Sequence, residues 1–149
     1  MLVSSHSPNR LIVKNLTIGD LLSEVEFSED DLPTPEYYES EIAATVAGLL
    51  YKFPTGTLVG TYLDESNTKY NINIVGYDKI RFLHLFVNKN IKLSEDSHLM
   101  PQHRQKTFMD LSMEDRNLIL QKRVDVYLIP HEDDNAHDFF ESVMYYHFQ

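Results

Sequence analysis

The densest group of side chains able to do chemistry is His131-Glu132-Asp133-Asp134-Asn135-Ala136-His137-Asp138, directly after an apolar run. His137 and Glu141 are four residues apart, so on a helix they project from one face. With His131 and Asp134 they would offer imidazole and carboxylate donors to a divalent cation. A small metal-dependent or acid–base enzyme built on this region is therefore the alternative reading of the chain. The spacing satisfies no zinc motif, however. Acids at the start of a helix are also explained without metal, by capping and by the helix dipole. That simpler explanation takes precedence, and neither a metal nor a cofactor is expected.

Two further histidines, His98 and His103, flank Met100-Pro101, with Arg104 and Lys106 nearby. General acid–base work would need a carboxylate within hydrogen-bond reach of an imidazole, and sequence alone supplies no such distance. The expectation is an exposed polar loop. His84, between Leu83 and Leu85, reads as a buried or half-buried histidine with a backbone partner. The five glycines form no phosphate-binding loop, there is no GxSxG elbow, and the absence of cysteine excludes a thiol nucleophile. No catalytic residue is assigned, and a non-enzyme is expected.

Charge is more informative than chemistry. From Asp20 to Glu41 there are nine carboxylates and no Lys or Arg, on a chain of net charge −10. Residues 77–123 hold nine basic and six acidic residues, so the middle is mildly positive. A field polarised in this way steers encounter with basic surfaces and repels nucleic acid. Tyr77, Lys79, Arg81 and Phe82 have the residue types of a single-strand platform, but the overall acidity opposes direct nucleic-acid binding. The same acidity would let carboxylates imitate a phosphate backbone, although a solvated charged face is the plainer account of such a run. The leading expectation is a non-catalytic inhibitor, immunity or adaptor protein that binds a basic protein surface. Glu29, Asp30, Asp31, Glu36, Tyr37 and Glu39 form the candidate contact set, with Tyr37 or Tyr145 as aromatic anchor.

The elements that must position these residues follow from periodicity. The fold class expected is α+β, one domain over residues 10–149 after a flexible lead-in at 1–9. Residues 10–16 read as a strand, followed by a short helix carrying Leu21, Leu22 and Val25. Thr17 and Asp20 stand at cap spacing for that helix. A helix over 35–53 is expected, with Thr34 as cap, Pro35 first, and a stripe of Tyr38, Ile42, Val46, Leu49, Leu50 and Phe53. Tyr70, Ile72 and Ile74 alternate with asparagines, as in a half-buried strand. Residues 57–63, 69–75 and 80–87 together suggest a three-stranded antiparallel meander, the third strand apolar on both faces.

Residues 88–110 show no period, a length that in a compact domain implies function or mobility. Ser112 opens a helix to about 122, and 124–129 is a strand with Val124, Val126 and Leu128 on one face. A last helix near 134–148 carries more aromatic surface than one face can bury, which suggests a homodimer through it. There is no apolar run long enough to span a membrane and no secretion-type leader, so a cytoplasmic protein is expected.

Overall fold

The computed structural model describes residues 11–27, 30, 32–62, 70–95, 98–130 and 138. The first strand, β1 (Ile12–Thr17), runs straight into α1 (Ile18–Glu24). The cap expected there is formed: Thr17 Oγ1 accepts the Asp20 N–H at 3.1 Å. After a 3-10 turn at Pro35–Tyr37 come α2 (Glu39–Leu50), β2 (Leu58–Tyr62) and β3 (Tyr70–Val75). Then follow α3 (Tyr77–Val87), α4 (Met113–Leu120) and β4 (Arg123–Pro130). This is the expected α+β class. Among the described residues no helix is long and apolar enough to cross a membrane.

The sheet is mixed, in the order β1-β4-β2-β3. β4 pairs antiparallel with β1 and parallel with β2, while β2 and β3 form an antiparallel hairpin. The expected antiparallel meander is therefore corrected: only its hairpin forms, and β4 inserts between the first two strands. Residues 80–87 are not its third strand but most of α3. An apolar run on both strand faces carries no period-two information, and the same residues fit a broad apolar face of a helix that begins at Tyr77. Gly76 takes a left-handed φ of 88° and turns the chain from β3 into that helix, with Asp78 in its first turn.

One core lies between the sheet and the helices. Val124, Val126 and Leu128 of β4 face it, as their alternation implied. They share it with Ile42, Val46 and Leu50 of α2 and Ile80, Leu83 and Phe86 of α3. Phe86 is fully buried and meets Phe108 edge-on, with ring centres 5.9 Å apart. Burial of one such ring contributes on the order of 1.5–3 kcal/mol. Gly60 sits where the β2–β3 register shifts, and a Cβ there would run into the Asn71 carbonyl.

The start and end of α2 also differ from expectation. Thr34 makes no side-chain cap bond; Pro35 opens the 3-10 turn, and the α-helix begins only at Glu39. Its stripe stops at Leu50, because Lys52 adopts a left-handed φ of 64° and turns Phe53 out, 61% exposed. Tyr38 is 41% exposed and leans on Phe82. Ser112 caps α4 as expected, its Oγ accepting the Asp115 N–H at 3.1 Å. The residues of the lead-in at 1–9 and the expected helix near 134–148 lie outside the described residues, apart from Asp138.

Candidate functional site

The long connection between α3 and α4 is tied down by apolar anchors and by a polar chain. Leu93, Leu99, Phe108 and Leu111 are buried, and the Leu93 N–H donates to the Lys106 carbonyl at 2.8 Å. Two 3-10 turns, Pro101–His103 and Phe108–Asp110, shape the rest. The second carries a reciprocal cap: Thr107 Oγ1 accepts from the Asp110 N–H and Asp110 Oδ2 from the Thr107 N–H. These bonds, the backbone one foremost, hold the Asp110 carboxyl below the usual carboxylate range, helped by Lys106 and Lys92.

His103 is the centre of the polar chain, and the expectation of an exposed loop histidine is corrected there. It is 7% exposed. Its Nε2 lies 2.9 Å from Asp115 Oδ2 on α4, and its Nδ1 lies 3.0 Å from the Tyr51 hydroxyl at the end of α2. That hydroxyl also accepts the Met100 N–H at 2.8 Å. A carboxylate can only accept, so in the neutral ring Nε2–H donates to Asp115 and Nδ1 accepts the Tyr51 O–H. Both ring nitrogens are thereby committed within the protein. The geometry joins the end of α2, the connection and α4 at one point and so holds the loop. His98 is exposed and takes no place in this chain.

The other histidine of the middle region, His84, lies on α3 and not on a strand. Its ring stacks on Phe27 with centres 4.1 Å apart, and Nδ1 accepts from Asn88 Nδ2 at 2.8 Å. Arg81 and Phe82 are buried, at 4% and 7% exposure, so two of the four residues resembling a nucleic-acid platform are interior. Arg81 instead lays its guanidinium over the Tyr77 ring and donates from Nη1 to the Tyr77 carbonyl.

The acidic stretch divides between surface and partly buried positions. Asp30, Glu36, Glu39 and Glu41 are exposed, and Tyr37, in the 3-10 turn among them, is 82% exposed. Among the described residues none of these four carboxylates forms an ion pair. Glu24 differs: it pairs with Lys14 at 2.9 Å on the inner side of the sheet. Among the described residues no hydrogen bond of good geometry reaches the buried Tyr70 hydroxyl. Burial first, then the charge of Glu24, pushes its pKa far up. The Lys14 ammonium sits 5.1 Å from the Tyr70 ring centre.

No protein-family model, curated protein or solved structure matches this chain. Function rests on the geometry alone.

Of the residues singled out in the sequence, Asp30, Glu36, Tyr37 and Glu39 are each exposed, the last three lying together in the chain at the 3-10 turn and the start of α2. Glu29 and Asp31 lie outside the described residues, as do His131, Asp134, His137, Glu141 and Tyr145. Among the described residues, no group of three metal-ligating side chains forms. Sequence reasoning missed the Tyr51–His103–Asp115 chain. Its one local signal was the Ser112 cap, which fixes Asp115 in the first turn of a helix.

Proposed function

We propose that this protein is a non-catalytic interaction domain that presents an acidic, tyrosine-centred surface to a basic partner protein, as an inhibitor, immunity or adaptor protein does. The observation that carries the reading is Tyr37, 82% exposed and flanked by Glu36 and Glu39. A tyrosine brings a large, rigid contact surface to an interface, and unpaired charges around it set the rim and the rate of encounter. Carboxylates needed for internal ion pairing would be found against cations, as Glu24 is against Lys14. Those around Tyr37 are left to solvent. The lack of cysteine suits a cytoplasmic setting.

Affinity co-purification from the native host at low and at high salt tests the proposal. A stoichiometric basic protein should be retained at low salt and released as screening shortens the reach of the charges. Glu36→Lys/Glu39→Lys and Tyr37→Ala should each lose it while circular dichroism and Tm stay near those of the wild type, because all three side chains are exposed. Clean protein at both salt concentrations would sink the reading.

A further inference from the structure

A cavity of about 270 Å³ opens between α2, α3 and β2, with Lys79 among the residues that line it. Its wall is mostly apolar, with Ile18, Leu58, Ile80 and Leu83 among the lining side chains and Thr45, Thr55 and Lys79 as the polar ones. Gly48 of α2 also borders it, and a Cβ added there would meet nothing within 4 Å. A shallower depression of about 370 Å³ adjoins the cavity and shares Thr55, Leu58 and Lys79 with it. Lys79 thus stands at the boundary between an apolar interior and an outer vestibule.

Lys79 is half-buried, and its ammonium donates to the Thr55 carbonyl at 2.7 Å. It forms no ion pair among the described residues. An ammonium has three donors and a full charge, and a single carbonyl answers only part of that. In a chain of net charge −10, a partly desolvated cation at the mouth of an apolar cavity is an unusual placement. Pockets of this kind, apolar with one well-placed polar group, are built for small amphiphiles.

We propose that this cavity binds an aliphatic monocarboxylate of medium chain length, its hydrocarbon tail lying against Ile80 and Leu83 and its carboxylate accepting from Lys79. Charge complementarity selects the head group, and the small volume and apolar wall select a short, unbranched tail. Gly48 keeps the space open. The site uses none of the acidic surface around Tyr37 and stands independently of it.

The test is a titration of the full chain with octanoate, followed by amide chemical shifts and by calorimetry, with octan-1-ol as the uncharged control. Saturable binding with shifts centred on Gly48, Ile80 and Leu83 is expected. Lys79→Met should weaken octanoate by about tenfold or more and leave octanol unchanged, as loss of one charge-assisted hydrogen bond implies. Gly48→Leu should fill the cavity and abolish both while the chain stays folded, because the added atoms enter open space. Absence of saturable octanoate binding at concentrations on the order of 1 mM would overturn the proposal. So would undiminished binding to Gly48→Leu, or equal affinity for acid and alcohol in the wild type.

Discussion

Tyr51→Phe isolates the polar chain that fastens the long connection. The substitution keeps the ring and removes one oxygen, so it leaves no cavity of consequence. Two hydrogen bonds are lost, and they are not equivalent. Met100 is 51% exposed, so water can replace the acceptor for its N–H. His103 is 7% exposed, and its Nδ1 is left without a donor where water reaches poorly. A neutral hydrogen bond contributes about 1 kcal/mol net, and an unsatisfied buried group costs about 1–3 kcal/mol. A loss of about 1–2 kcal/mol is expected, which in a domain of this size lowers Tm by roughly 2–8 °C.

Urea unfolding followed by circular dichroism gives the free energy, and native-state amide exchange gives its location. Exchange at Met100 should quicken more than at Leu83 in the core. Asp115→Asn should cost little, since its amide oxygen still accepts the Nε2–H. Tyr51→Phe on the Asp115→Asn background should be non-additive. A change below about 0.3 kcal/mol, together with unaltered exchange at Met100, would show that the chain of bonds adds nothing to the fold.

Three further outcomes follow from the backbone and the caps. Gly60→Ala forces a Cβ into the Asn71 carbonyl, so a loss above about 3 kcal/mol or failure to fold is expected; thermal unfolding decides, and a Tm near the wild type would be inconsistent with the register shift. Gly48→Ala adds a methyl on α2 in open space and should raise stability by about 0.5–1 kcal/mol, read from the urea midpoint. Asp110 has a folded pKa below its unfolded one, so the unfolded chain binds more protons between the two values. Its contribution is therefore complete above the ordinary carboxylate range and lost as pH falls through the lowered value. Asp110→Asn should be less stable than the wild type at neutral pH, with the gap closing in acid; a gap constant with pH would contradict the assignment.

What could be read from the sequence was local. The caps at Thr17 and Ser112 involve bonds spanning three residues, and both formed. The alternation of Val124, Val126 and Leu128 reports one buried strand face and needs no knowledge of the neighbours. The exposure of Tyr37 was legible because glutamates on either side of it leave no apolar face to bury. Residues 77–87 failed for a specific reason: Ile80, Phe82, Leu83, Leu85 and Phe86 fill both strand parities and equally one broad helical face. Sheet order failed because no residue in β4 encodes whether β2 or β3 lies beside it. Tyr51, His103 and Asp115 come from three separate elements, and only the folded chain makes them neighbours.

The position of β4 has a consequence for how the chain is made. It is the central seam of the sheet, paired on both sides, yet it follows β1, β2 and β3 in sequence. Until Arg123 has been made, β1 lacks the partner it has among the described strands and β2 has only its hairpin mate. Two open strand edges and the apolar faces of α2 and α3 must wait for Arg123–Pro130 to arrive. Contacts joined over so long a separation close slowly, and unpaired edges are the surfaces on which nascent chains associate. The refolding rate of a variant weakened in that strand, Val126→Ala, set against that of the natural chain, would show whether the late strand governs the tempo of folding.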